Sequence, residues 1–270
     1  SGTTRPITPG LNELLESGRA SNYKPSPQVM PRDGGYRECL VPRPGFVYGG
    51  ADYSYIEICA LAQTLLSEFG QSAMAEALIA GKDPHLVTGA DLMGVDYDTF
   101  VGLYKAGAED AAKWRQAAKV INFGVPGGMG PATMVVWAKA TYRYTFGVTA
   151  ENPDPSPKEQ EKAARALKNR FLDRYPEMRD FFRGVGELTE SGSAVIAQPG
   201  SGRLRGGLGF CDGCNTLFQG PAADGAKWAF FCMQMECYTG TSPLWDRLVE
   251  EERAKESPGG WCPHFSDVAA

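Results

Sequence analysis

The chain has 270 residues, 43% of them hydrophobic and 22% charged, with a mean hydropathy of −0.29 and a formal net charge of −5. A chain of that size can bury a substantial core, and no apolar run approaches the roughly 20 residues of a membrane span, so the composition points to a soluble globular protein without a membrane partner. The opening SGTTRPITPG lacks a basic-then-apolar signal pattern, and seven irregularly spaced cysteines fit reduced thiols in the cytoplasm better than a disulfide framework.

Residues 1–35 are rich in proline, glycine and serine and are expected to be irregular. YRECLVPRPGFVYGGADYS (36–54) predicts two short strands around a Pro-Gly turn, the second ending at Asp52. From Ile56 to about Phe69 the period becomes helical, with Ile56, Ala60, Leu61 and Leu65 on one face. Short helices are expected at 72–80, 84–93 and 97–106. A stronger one covers 109–125 and stops at Pro126-Gly127-Gly128, and another follows at 130–145. ENPDPSP (151–157) is a linker whose end starts a helix to Arg174, and Pro176 opens another to Glu190. AVIAQPGSGRLRG predicts a hairpin, and a last helix covers about 215–238. Strands enclosing a helical middle suggest an α+β architecture.

The net negative charge does not exclude nucleic acid, because phosphate binding depends on where cations cluster. They cluster in KWRQAAK (Lys113, Arg115, Lys119) and in SGRLRGG (Arg203, Arg205). Arg115, Lys119 and Phe123 recur at four-residue intervals and so share one helix face. Such a stripe is commonly a solvated face, but here Asn122-Phe123-Gly124 and the Pro-Gly-Gly stop complete a longer pattern. Asp52, just before a predicted helix, is suited to hold a divalent cation, although a helix cap is an equally simple role for it.

Four segments, in order, resemble family A (Pol I-like) DNA polymerases, and together they span about residues 17–243. SGRASNYKPSPQVMP (17–31) is similar to the family's segment along the primer–template duplex, with Gly18, Arg19, Ser21, Pro25, Gln28 and Pro31 in register and Ser26 in place of an asparagine. ADYSYIEICALA (51–62) resembles motif A, with Tyr55 replacing a glutamine and Cys59 an arginine. RQAAKVINFGVPGGMG (115–130) resembles motif B, the fingers helix that grips the incoming nucleotide, with Gly127 where many members carry tyrosine. CNTLFQGPAADGAKWAF (214–230) is similar to a helix following the duplex minor groove. The Pro-Gly-Gly form resembles a phage-type subgroup.

The resemblance implies a palm with a small antiparallel sheet and a mostly helical fingers insertion: palm at 1–66 and 191–270, fingers at 67–190. It implies template-directed DNA synthesis, nucleotidyl transfer of dNTPs to a primer 3′ end. Mg²⁺ would be the cofactor, and primer–template DNA and dNTPs the partners. Asp52 and the Tyr53 carbonyl would hold metal in a site of two ions roughly 3.5–4 Å apart. Asp52 and Lys119 would be catalytic. Tyr53, Ser54, Glu57, Arg115, Lys119 and Phe123 would bind nucleotide, Glu57 disfavouring a 2′ hydroxyl. Arg19, Ser21, Gln28, Arg203, Arg205, Asn215 and Gln219 would contact duplex at phosphates and minor-groove acceptors.

The resemblance covers palm and fingers only, without a thumb or exonuclease domain. After Pro243-Leu244, where motif C and its second carboxylate are expected, the sequence is charged and then Pro/Gly-rich, with His264-Phe265-Ser266-Asp267 as a faint echo. The alternative is therefore a non-catalytic nucleotide- or duplex-binding remnant, or a subunit completed by a second chain that supplies thumb and motif C. Cys211-x-x-Cys214 with later cysteines raises zinc, but Cys214 falls inside the polymerase-like segment and the next pair is spaced C-x4-C within a helix. GVPGGMGPAT lacks the Gly-Lys-Ser/Thr ending of a P-loop.

Overall fold

The structure, a computed structural model, describes residues 5–12, 15–31, 34–45, 47–48 and 52–239. The expected irregular N-terminal region instead holds a short hairpin. Strand β1 (Gly10–Asn12) pairs antiparallel with β2 (Ser21–Tyr23), in register Gly10 with Tyr23 and Asn12 with Ser21. The two strands predicted within 36–54 are not formed among the described residues there, which carry a 3₁₀ turn at Arg37–Cys39 and otherwise irregular backbone. Pro42 and Pro44 cannot donate to a ladder, so alternating side chains alone do not make a strand in this stretch.

The helical middle follows the predicted order closely: α1 (Ile56–Phe69), α2 (Ala73–Ile79), α3 (Pro84–Met93), α4 (Tyr97–Lys105), α5 (Glu109–Gly124), α6 (Pro131–Tyr142), α7 (Pro157–Arg174) and α8 (Glu177–Leu188). Local chemistry sets several starts. Asp83 caps α3, accepting from the backbone N–H groups of His85 and Leu86, with Pro84 at the first helical position. Ser156 and Glu159 form a reciprocal capping box at the head of α7.

A second hairpin, β3 (Ala194–Ala197) with β4 (Leu204–Leu208), leads into α9 (Phe210–Thr239). That helix starts five residues before the expected Asn215, taking in Gly213 despite its helix-breaking tendency. Gly213 is there for packing: a Cβ on it would lie 2.9 Å from Thr189 Cγ2 and 3.0 Å from Val185 Cγ1.

One continuous core joins α1 and α5 to α9. It is built from Leu61, Leu65, Val120, Ile121, Met134, Phe146, Phe171, Tyr175, Met178, Phe181 and Phe218, all nearly inaccessible. α1 lies along α9, where the Thr64 hydroxyl donates to the Leu217 carbonyl at 2.9 Å. α3 lies along α5, and the Asn122 amide welds them: Thr88 donates to its Oδ1 at 2.8 Å while its Nδ2 donates to the Pro84 carbonyl at 3.0 Å. Tyr55, just before α1, reaches α3 through His85 and Asp83, so the start of α1 lies beside the α3–α5 pair. No helix of the described residues is long and apolar enough to cross a membrane.

Candidate nucleotide and nucleic-acid site

Along α5, Ala117, Ala118, Val120, Ile121 and Asn122 are buried, while Arg115, Lys119 and Phe123 form a half-buried stripe at four-residue spacing. The core therefore holds the helix rigid and leaves two cations and an aromatic ring at its mouth. Arg115 is held from two sides: Nη2 lies 3.4 Å from Asp83 Oδ2, and the guanidinium stacks 5.0 Å over the Tyr104 ring. Its Nε is buried without a hydrogen-bond partner among the described residues. A buried donor left unsatisfied is costly, so this one has reason to accept an incoming anion.

Two residues outside the sequence-predicted set complete this wall. His85 lies 5.2 Å from Phe123 and 5.5 Å from Tyr55, ring centre to ring centre. Burial, reinforced by the positive charges of Arg115 and Lys119 against the pull of Asp83, pushes its pKa down to about 4. The ring is neutral at pH 7, and Asn122 Nδ2, 3.0 Å from Nδ1, makes Nδ1 the acceptor and so leaves the proton on Nε2. The second residue is Asp83. Burial alone would raise its pKa, but hydrogen bonds from Tyr55 and from the His85 and Leu86 N–H groups hold the carboxyl below its ordinary range. Asp83-Pro84-His85 was findable in the sequence as a cap, a first-turn proline and an imidazole together, yet it stands 30 residues before the basic stripe.

The motif A-like segment forms the opposite wall. Asp52, Tyr53 and Ser54 are exposed ahead of α1, and Tyr55 enters the helix in the left-handed region with φ 58°. Burial, with the nearby Cys232 thiol, raises the Tyr53 phenol pKa, which places this segment beside α9. Glu57, in the first turn of α1, pairs with Arg19 at 3.6 Å. Burial raises the pKa of its carboxyl and Arg19 opposes that rise. Glu57 also influences Tyr142 on α6, whose phenol is raised first by burial and then by this charge.

The residues expected on duplex differ in how they are held. Ser21 sits in β2, opposite Asn12. Gln28 is exposed and braces its own loop, its Oε1 accepting from the Asn22 N–H at 3.0 Å. Arg203 lies against Gly18, bringing the second hairpin to the first segment, and pairs with Asp224 at 3.5 Å. Arg205 donates to Thr216 Oγ1 at 2.9 Å and lies 3.7 Å from both Asp212 and Glu16. Both guanidinium groups are thus turned to protein partners, which fastens β4 onto α9. Asn215 reaches the end of α5, its Oδ1 lying 3.0 Å from where a Cβ of Gly127 would be. Gln219 is half-buried one turn further along α9.

Among the described residues no three His, Cys, Asp or Glu side chains converge as a metal cluster. Asp52 offers one exposed carboxylate, so the described residues do not by themselves compose a two-ion centre. His264–Asp267, the echo of motif C, lies outside the described residues. Cys214 is a core residue whose thiol pKa burial pushes up to about 12, which keeps it protonated and ill suited to ligate zinc.

The chain is similar to known proteins over most of its length. The chain is 28% identical over 225 residues to DNA polymerase I of Helicobacter pylori, covering 77% of this chain and 21% of that protein. To DNA polymerase I of Aquifex aeolicus it is 27% identical over 214 residues, covering 79% of this chain and 32% of that one. It therefore spans about a fifth to a third of the length of these curated relatives. The fold matches the POL domain of Pol1 from M. smegmatis, solved in complex with DNA primer-template and dNTP. The TM-score is 0.59 at 22% identity, over 87% of this chain and 38% of that one. Residues 6–199 match the family model of DNA polymerase family A, and the chain belongs to that family.

Proposed function

We propose that this chain is the nucleotide-gripping palm and fingers part of a template-directed DNA polymerase, adding dNTPs to a primer 3′ end with Mg²⁺. The observation that carries this is the convergence, on one rigid wall, of Arg115, Lys119 and Phe123 with the neutral imidazole of His85, facing the Asp52–Glu57 turn. In this reading the cations Arg115 and Lys119 meet the triphosphate, and the His85 Nε2–H adds an uncharged donor. Phe123 lies against base and sugar, and Glu57 screens the 2′ position. Asp52 and the Tyr53 carbonyl would be the oxygen ligands this chain offers to Mg²⁺, and the ion would supply positive charge for phosphoryl transfer. Ser54 stands beside them on the same turn. Arg19, Ser21, Gln28, Asn215 and Gln219 follow the duplex. Arg203 and Arg205 support it through the hairpin they fasten.

Residues 1–66 and 191–270 would form the palm and 67–190 the fingers. The Pro126-Gly127-Gly128 turn supports the phage-type subgroup, and a cytoplasmic setting fits a DNA substrate and thiols such as Cys39 and Cys232 that form no disulfide among the described residues. Primer extension by the purified chain with each dNTP and Mg²⁺, beside a direct dNTP titration, tests the reading. Binding without extension would favour a non-catalytic or partner-completed subunit, and neither binding nor extension would overturn it.

A further inference from the structure

Motif A-like and motif B-like segments meet through a single carboxylate. The Tyr55 hydroxyl donates to Asp83 Oδ2 at 2.6 Å, and Arg115 Nη2 approaches the same oxygen at 3.4 Å. The other oxygen, Oδ1, is committed to the α3 cap, accepting from the His85 and Leu86 N–H groups at 2.7 and 3.2 Å. Asp83 is further fixed by its own N–H, which donates to the Tyr97 hydroxyl at 3.1 Å. Every part of this node is thus held, and one of its two free-standing tethers is a phenol from the Asp52 turn.

Tyr55 is unusual in its own backbone. At φ 58° it occupies a region that non-glycine residues seldom adopt, and it makes no side-chain cap to the helix it begins. That conformation aims the ring past α1, edge-on to His85 at 5.5 Å, and sets the hydroxyl on Asp83. A shorter polar side chain at 55 would not span to α3 with both contacts.

Building on the nucleotide-binding reading above, we propose that Tyr55 is a positioning residue for the incoming nucleotide. Its hydroxyl orients Asp83, Asp83 orients the Arg115 guanidinium, and the turn bearing Asp52 is thereby locked in register with the helix that grips phosphate. Tyr55 touches no substrate; it acts through Arg115. Without the phenol hydroxyl, Oδ2 loses its short donor and Arg115 loses the fixed acceptor that keeps it at the mouth.

The test is equilibrium dialysis of Mg·dATP against the full chain, with Tyr55→Phe keeping the ring and removing only the hydroxyl. The expected result is an about tenfold rise in Kd, equivalent to about 1.4 kcal/mol, while thermal unfolding stays cooperative. Asp83→Asn, which leaves an acceptor for the α3 cap but weakens the pair with Arg115, reaches the same loss by a separate route. The double variant should bind no more weakly than the weaker single, because both act through one chain of contacts. In an Arg115→Lys background, Tyr55→Phe should add nothing further. A merely structural Tyr55 would lower the unfolding temperature and leave Kd and this non-additivity unmoved. Wild-type affinity in Tyr55→Phe, or simple additivity, overturns the inference with the nucleotide site intact. Absence of dATP binding by the parent chain overturns the site itself, and the inference with it.

Discussion

Arg19 Nη1 lies 3.6 Å from Glu57 Oε1, so the segment proposed to follow the duplex is ion-paired to the residue proposed to screen the sugar. The pair joins the N-terminal hairpin region to the first turn of α1 across a gap in sequence of nearly 40 residues. Its consequence is electrostatic before it is mechanical. Glu57 is removed enough from water that its carboxyl titrates above the ordinary range, and Arg19 is the charge opposing that shift. Replacing Arg19 by alanine should move the Glu57 midpoint further upward, read by carboxyl ¹³C NMR across a pH series. An unmoved midpoint would show that the pair is not held in solution. In the same frame, Glu57→Ala should relax discrimination between dNTPs and rNTPs in extension or binding.

Lys119 stands one turn from Arg115 and one turn from Phe123, on a face of α5 that the core leaves half open. A charge-assisted contact is worth about 1.5–3 kcal/mol, so Lys119→Ala should weaken dNTP binding by about tenfold or more. The mutation removes no core contact, and the unfolding temperature should change little. Equal affinities for parent and variant would remove α5 from the site.

The helical middle was legible because its signals are local: apolar residues at three- and four-residue spacing, Asp83-Pro84 and Ser156-Pro157 at starts, and Pro126-Gly127-Gly128 at a stop. The Arg115–Lys119–Phe123 stripe was legible for the same reason. What failed was non-local. Among the described residues of 36–54 no strand forms: strand-like side chains need a partner segment that satisfies their backbone groups, and no sequence window contains that partner. His85 escaped notice because its meaning lies in contacts with Phe123, Tyr55 and Asn122, which sequence spacing does not reveal. Arg203 and Arg205 look like phosphate ligands as bare cations. Asp224, Asp212 and Glu16, which face them, become visible only in the fold.

Asn122 is buried and satisfied on both ends of its amide, with Thr88, Pro84 and His85 as partners. Asn122→Ala would remove the donor to His85 Nδ1 and the acceptor of the Thr88 hydroxyl together, and buried polar groups left unpaired cost about 1–3 kcal/mol each. A loss of about 2–4 kcal/mol in denaturant unfolding is expected, with dNTP affinity falling as α3 loosens from α5. A variant as stable as the parent would mean that this weld carries no energy.

His85 also makes stability depend on pH, with a definite sign. Its folded pKa of about 4 is below the roughly 6.5 of an unfolded histidine, so the unfolded state takes up the proton first as pH falls. The stability that neutral His85 contributes is complete above about pH 6.5 and is lost progressively down to about 4. The expected loss is on the order of 2 kcal/mol by pH 5. His85→Gln, which cannot titrate, should flatten the slope of unfolding free energy between pH 7 and 5. Parallel slopes for parent and variant would show that the imidazole is exposed and charged in the folded protein.

The turn after α5 depends on Gly128. Its φ is +78°, and a Cβ there would lie 2.8 Å from Phe210 Cε1 and 3.3 Å from Cys211 Sγ. The turn itself is closed by the Gly128 N–H to the Val125 carbonyl at 2.9 Å and by Met129 N–H to Gly124 at 3.2 Å. Lys168 then clamps the Met129 carbonyl at 3.0 Å. Gly128→Ala meets two separate penalties: a left-handed backbone, which costs a residue with a side chain about 1–3 kcal/mol, and a clash with the Phe210 ring. Adding Phe210→Ala removes the second penalty and leaves the first. The single variant should therefore be destabilised by about 2–4 kcal/mol, using the overpacking cost as a guide. Measured against Phe210→Ala alone, the same glycine substitution should cost about 1–3 kcal/mol. A Gly128→Ala chain that melts with the parent would mean that the turn does not take the positive φ. Asn215 and Phe210 would then no longer be placed to fill the space that Gly127 and Gly128 leave at the end of α5.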